Sequence, residues 1–97
     1  MRRDPEFFAD REMSLVYVGR RLNDALRLEE ALTEAGVDYV VETDRYWIGR
    51  LFRRERVGAF FYVLPEIEAS TRALIQQAGF RPLDPDEASS PTARRSR

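Results

Sequence analysis

The sequence predicts a single α+β domain that contains two strand–helix units in succession. Each unit begins with a short apolar run rich in β-branched and aromatic residues, which is typical of a buried strand. Each run leads into a helix-like stretch that closes on Ala-Gly followed by an apolar residue. The units occupy residues 15–37 and 59–80 of a 97-residue chain in which 43% of the residues are hydrophobic, a size and composition suited to one domain.

The first unit predicts a central strand over residues 15–18, closed by Gly19, and then an amphipathic helix. Asn23 is a suitable N-cap, and Asp24 in the first turn would face the positive end of the helix dipole. Gly36 is the expected stop, because glycine accepts the left-handed backbone that ends many helices. The apolar stripe recurs at spacings of three and four residues: Ala25, Leu28, Leu32 and Ala35.

A second, half-exposed strand is predicted over residues 37–44 from strict alternation. On one face it would carry Tyr39, Val41 and Thr43. The residues of the other face are largely acidic: Asp38, Val40, Glu42 and Asp44.

The second unit predicts a third strand over residues 59–63 and a second helix. Pro65 suits the first helical position and Glu66 the first turn, and Gly79 closes the helix. A short fourth strand over residues 81–83 would have to be an edge strand, because Pro82 has no N–H to donate. The inward stripe of the second helix is expected to be Ile67, Thr71, Leu74 and Ala78.

This order of elements, βαββα(β), is that of the ferredoxin-like fold, in which two helices pack on one face of an antiparallel sheet. The other face is left to solvent or to a partner. We expect an N-terminal arm at residues 1–12, which could lay Phe7 and Phe8 on the domain, and a ferredoxin-like domain at residues 13–83. Residues 84–97 have almost nothing to bury and predict a disordered tail.

Composition excludes much catalytic chemistry. The chain has no histidine, cysteine or lysine, and all 16 basic residues are arginine. It therefore lacks an imidazole base, a thiolate, the usual zinc ligands and a Schiff-base amine. Asp38, Glu42 and Asp44 could form a carboxylate site, but residues two apart on a strand stand ~7 Å from each other, and a solvated face is the simpler interpretation. We expect no enzyme, no catalytic residue, no metal and no cofactor.

The segment at residues 45–56 is unusual for a connection between two strands, because it holds the only tryptophan, two other aromatic residues and five arginines. The spacing of Trp47, Ile48, Leu51 and Phe52 favours a helical turn with an apolar stripe beside arginines. The candidate partner-binding or ligand-binding residues are Tyr46, Trp47, Arg50, Phe52, Arg53, Arg54 and Arg56.

Four interpretations of this segment are open. It could extend the core of the domain, or it could form a protein interface, since aromatic residues and arginine are enriched in interface cores. Its arginines could instead clamp a small carboxylate or phosphate ligand. The fourth interpretation, binding to single-stranded nucleic acid or to an anionic membrane surface, is disfavoured for nucleic acid by the net charge of −1 and by the lack of an RNP-type motif.

Residues 15–18, the helix over 24–36 and the stretch 61–66 with its following helix resemble a small bacterial family of prokaryotic signal-transducing proteins. The resemblance implies a ferredoxin-like fold and a regulatory or adaptor role, and it brings no catalytic residues. The bulky insertion at residues 47–56 departs from the expected shorter connection.

We therefore expect a non-enzymatic regulatory or protein-interaction module, a homodimer or the partner of another protein. The alternative is a sensor that binds a small anionic metabolite through residues 45–56. No signal-peptide region and no apolar run near the ~20 residues of a membrane span are present, so we expect a cytoplasmic location.

Overall fold

The computed structural model describes residues 1–9, 11–48 and 54–83, and for residues 46–48 it describes the backbone alone. The strands form one antiparallel sheet in the order β1-β3-β2, so that β3 is central. The predicted α+β class is confirmed at this level. In chain order the elements are β1 (Ser14–Gly19), α1 (Leu22–Glu34), β2 (Val40–Ile48), β3 (Arg54–Val63) and α2 (Glu68–Gln77).

The main core lies between both helices and one face of the sheet. It depends on an irregularity in β1 that the sequence pattern does not show: Leu15 pairs with Tyr62, but Tyr17 pairs with Phe61, so Val16 is the extra residue of a bulge. The bulge turns two consecutive residues, Val16 and Tyr17, toward the helices. The buried members of this core are Val16, Ala25, Leu28, Leu32, Tyr39, Phe61, Val63 and Ile75.

The opposite face of the sheet has a smaller apolar cluster of its own. Phe60 and Leu15 are buried there, with 1% and 6% of their surface exposed. Leu83 packs against this cluster, and its backbone N–H donates to the carbonyl of Val16 at 2.8 Å. The expectation that this whole face is left open is therefore wrong near β1. Residues 81–83 make this contact without forming the predicted fourth strand.

Both helices end as the Ala-Gly-apolar signals predict. Gly36 and Gly79 have φ values of +76° and +93°. The next residues, Val37 and Phe80, each donate a backbone hydrogen bond to a carbonyl five residues earlier, and both side chains pack on the main core. This is the Schellman arrangement, which satisfies carbonyls that would otherwise lack partners.

The helix starts differ from the sequence prediction. Helix α1 begins at Leu22, so its N-cap is Arg21, and Asn23 lies inside the first turn. The predicted stripe of α2 is incomplete: Thr71 is buried and Leu74 packs on the main core as expected, but the prediction omits Ile75, which is completely buried. A 3₁₀ turn over Pro65–Ile67 precedes α2 and rotates its buried face relative to a helix that starts at Pro65.

The N-terminal arm is tied to the domain at both ends. Arg2 forms a parallel bridge with Tyr39 beside the start of β2, and the Arg3 amide donates to the Tyr39 carbonyl at 2.8 Å. Arg11 makes two hydrogen bonds of 2.7 Å to the carboxylate of Glu66. Between these anchors Phe8 is buried, while Phe7, the other ring predicted to lie on the domain, stays largely exposed.

Candidate functional site

The strands β2 and β3 continue past the end of β1 as a two-stranded ribbon. Strand β1 stops at Gly19, which pairs with Ala59, whereas β2 and β3 stay paired out to Ile48 and Arg54. We call residues 45–48 and 54–57 the ribbon. The helical turn favoured by the sequence is wrong at Trp47 and Ile48, because their backbones pair with β3 instead of making hydrogen bonds within a helix. The other two residues of that predicted stripe, Leu51 and Phe52, lie outside the described residues.

The described side chains of the ribbon lie on two distinct faces. Arg54 and Arg56 are exposed and lie two residues apart, so they share the face that carries Phe60 further along β3. On the other face, Arg45 donates a hydrogen bond of 2.8 Å to Glu55. Val57 lies on that second face with 60% of its surface exposed, which is unusual for a valine in a strand.

The other candidate residues from the sequence are placed only in part. Tyr46 and Trp47 lie in β2, where their backbones pair with Arg56 and Glu55. The remaining three lie outside the described residues: Arg50, Phe52 and Arg53.

A second candidate site is an open cleft of about 300 Å³, which we call the arginine cleft. It lies where β1 ends, α1 begins and residues 81–83 pass beside β1. Three arginines line it, namely Arg20, Arg21 and Arg81, together with the apolar side chains of Val18 and Leu83. Residues about sixty positions apart in the chain therefore meet at one surface.

The charge of the arginine cleft is opposite to that of the whole chain. Three guanidinium groups and one carboxylate, Asp24, line it, so the lining carries 3 − 1 = +2, against −1 for the protein. Asp24 lies 3.8 Å from Arg27, an arginine outside the lining. Among the described residues, neither Arg21 nor Arg81 has a carboxylate within 4.0 Å.

Tyr17 is one of the residues that line the arginine cleft. Its ring packs edge-on against Phe61 and Phe80, with centroid separations of 5.8 and 5.7 Å. Burial, with a smaller contribution from the charge of Asp24, raises the pKa of the Tyr17 hydroxyl, although nearby Arg20 opposes the shift. The hydroxyl therefore remains protonated at neutral pH and can donate a hydrogen bond.

The start of α1 adds to the positive character of the arginine cleft. Arg21 is the N-cap and makes no side-chain hydrogen bond to the first turn, since arginine has no acceptor to offer. The first backbone hydrogen bond of the helix runs from the Ala25 amide to the Arg21 carbonyl. The amides before Ala25 point toward the helix start, where the dipole is positive.

The sequence prediction does not include the arginine cleft, because it puts the N-cap at Asn23. Arg20 and Arg21 then fall in the connection before the helix, and Arg81 falls in a short edge strand. A local signal was present in the pair Arg20-Arg21 directly after a strand that ends in glycine. Arg81 could not have been added to it without knowledge of the packing.

The acidic cluster considered from the sequence does not form a metal site. Within the described ranges, no group of three or more carboxylates is placed to hold a metal ion. Asp38 lies before β2 and accepts a hydrogen bond of 3.0 Å from Arg3. Neither α1 nor α2 has the length and apolar character to cross a bilayer, so the described residues contain no candidate membrane span.

Comparisons with models of protein families, with curated proteins and with solved structures found no match. The resemblance to prokaryotic signal-transducing proteins therefore stays a prediction from the sequence.

Proposed function

We propose that this chain is a non-enzymatic regulatory or protein-interaction module of the ferredoxin-like type, acting in bacterial signalling in the cytoplasm. The strand order β1-β3-β2 and the helices that share one core support the fold. The hydrogen bond from Leu83 to Val16 lies at the outer edge of β1, where a fourth strand of this fold would add.

The observation that carries the interaction role is the ribbon. An isolated two-stranded hairpin is marginally stable in water, so strands that extend beyond their sheet gain stability when a partner covers them. From Arg54 to Val57 the edge of β3 that β1 would occupy has no paired strand among the described residues. Unpaired strand edges are templates for pairing with another chain.

The partner we propose is a second copy of this chain. The face of the sheet that carries Arg54 and Arg56 also carries two acidic residues of β2, Glu42 and Asp44, further along the strands. If two copies met through this face about a twofold axis, the arginines of each copy would lie against the acidic residues of the other. Such isologous contacts are the commonest in soluble oligomers.

Light scattering on the purified chain tests this proposal. Arg56→Glu would place an acidic group against the acidic residues of the other copy, and we expect it to lower the oligomeric mass to that of a monomer. Leu26→Glu is the control, because it adds an acidic group at an exposed residue of α1, with 53% of its surface accessible. A wild-type monomer at ~100 μM, or equal effects of both substitutions, would refute the ribbon as a contact between copies.

A second candidate function, a sensor of a small anionic metabolite, is favoured by the shared exposed face of Arg54 and Arg56. Two guanidinium groups ~7 Å apart could hold one carboxylate or phosphate between them. If so, Arg54→Gln with Arg56→Gln should lower the number of phosphate ions bound per chain in a calorimetric titration with inorganic phosphate. Unchanged binding would remove the ribbon as the anion site.

A further inference from the structure

We infer that the arginine cleft binds a small organic phosphate, and that it is a site separate from the ribbon. The inference does not depend on the proposed interaction role. It rests on the charge of the cleft, its shape and the residues at the start of α1.

The first argument is that the lining of the cleft has a net positive charge, 3 − 1 = +2. Arg21 and Arg81 approach it from parts of the chain that are distant in sequence, and neither has a carboxylate partner in the described part of the chain. Guanidinium groups stay charged at any physiological pH. Like charges at one surface raise the local positive potential, and that potential attracts an anion.

The second argument concerns Arg21 as the N-cap of α1. Ser, Thr, Asp or Asn at this position stabilises a helix because its side-chain oxygen accepts a hydrogen bond from the first turn. Arg21 offers no such acceptor and makes no capping bond. A residue that is poor for the helix and lies beside an arginine-lined cleft is expected at a functional site, where a ligand oxygen supplies the missing acceptor.

The third argument identifies the ligand class. A phosphate monoester carries a charge of about −1.5 to −2 at neutral pH and presents three terminal oxygens, so it matches the +2 charge of the lining better than a single carboxylate, whose charge is −1. The volume of about 300 Å³ is at the small end of the range for ligand sites. Val18 and Leu83 give the cleft apolar walls, which suit a small organic group attached to the phosphate.

A titration of the ¹⁵N-labelled full chain with inorganic phosphate at constant ionic strength tests the site. We expect saturable amide shifts at residues 19–25 and 81–83. The titration should run to ~10 mM, ten times the half-saturation point of a site with ~1 mM affinity. No saturable shift in this range, or shifts centred on the ribbon, would overturn the inference.

Two substitutions separate loss of binding from loss of folding. Arg21→Ser removes a charge but gives α1 a hydroxyl cap, so we expect at least tenfold weaker binding with an equal or higher melting temperature. Arg81→Gln should weaken binding by a similar factor. Arg2→Gln on the N-terminal arm is the matched control, since it removes the same charge from an exposed arginine, with 59% of its side chain accessible, that belongs to neither candidate site. Equal weakening by Arg2→Gln would mean a general charge effect and would contradict the site.

Phenyl phosphate tests the organic part of the ligand. If Val18 and Leu83 contact the attached group, phenyl phosphate should bind about tenfold more tightly than inorganic phosphate. Equal affinities for the two probes would show that the cleft holds only the phosphate group and would overturn the assignment to an organic ester.

Discussion

Thr71 on α2 is buried with 1% of its surface exposed, and its hydroxyl oxygen has no hydrogen-bond partner among the described residues. A threonine in a helix often donates to a carbonyl three or four residues earlier. Here the Ile67 carbonyl accepts from Ser70 Oγ at 3.1 Å. The Thr71 hydroxyl therefore lost its hydrogen bonds to water on folding and gained none in return.

Replacing Thr71 with valine should stabilise the protein. The two side chains have nearly the same shape and similar helix propensity, so the main change is the loss of an unsatisfied hydroxyl. Such a group costs about 1–3 kcal/mol when buried. We expect Thr71→Val to raise the free energy of unfolding by about 1 kcal/mol, which for a domain of this size corresponds to a melting temperature about 4–8 °C higher.

Urea and thermal denaturation followed by circular dichroism measure this change. Thr71→Ser keeps the hydroxyl and removes one buried methyl group, so it should lower the free energy of unfolding by about 1 kcal/mol. The two variants thus move stability in opposite directions from one position. If the valine variant is no more stable than the wild type, the hydroxyl has a partner in solution and the argument from burial fails.

Two further predictions concern backbone geometry and pH. Gly36→Ala and Gly79→Ala should each lower the free energy of unfolding by about 1 kcal/mol in urea denaturation. An added Cβ would meet no atom within 4 Å at either glycine, so the cost is that of the positive φ alone, and unchanged stability would refute it. Burial is the main cause that raises the pKa of the Tyr39 hydroxyl. As the pH rises, the folded protein therefore keeps the hydroxyl proton after the unfolded chain has lost it. Stability should then fall as the pH rises above ~10, the ordinary tyrosine pKa, and Tyr39→Phe should make that fall shallower. If the stability of the Tyr39→Phe variant depends on pH in the same way as that of the wild type, Tyr39 is not the cause of the fall.

The helix ends and the existence of the main elements could be predicted because they depend on neighbouring residues. The conformation at Gly36 follows from glycine's tolerance of positive φ, and the apolar residue after it completes the motif within one turn. The failure at Asn23 shows the limit of such signals. A good capping residue is present at Asn23, yet the helix begins before it, at Leu22, with Arg21 as its N-cap.

The extents of β2 and β3 could not be predicted in the same way. The run over residues 45–48 has no strand-like alternation, yet it pairs with residues 54–57 because each strand satisfies the backbone groups of the other. A hydrogen bond between strands joins residues that are distant in sequence, so a prediction from short stretches of sequence does not compare them. The sequence therefore indicated that residues 45–56 were unusual, and the pairing decided that their described part is a ribbon.

By itself, the sequence determined the α+β class, the amphipathic helices, the helix stops and the absence of imidazole, thiol and amine chemistry, since each of these depends on composition or on short-range spacing. Only the tertiary structure decided the order of the strands, the bulge at Val16, the ribbon and the arginine cleft. The cleft shows the physical reason most directly. Arg21 and Arg81 are unremarkable where they stand in the chain, and their shared positive field exists only because α1 and residues 81–83 pack beside the same end of β1.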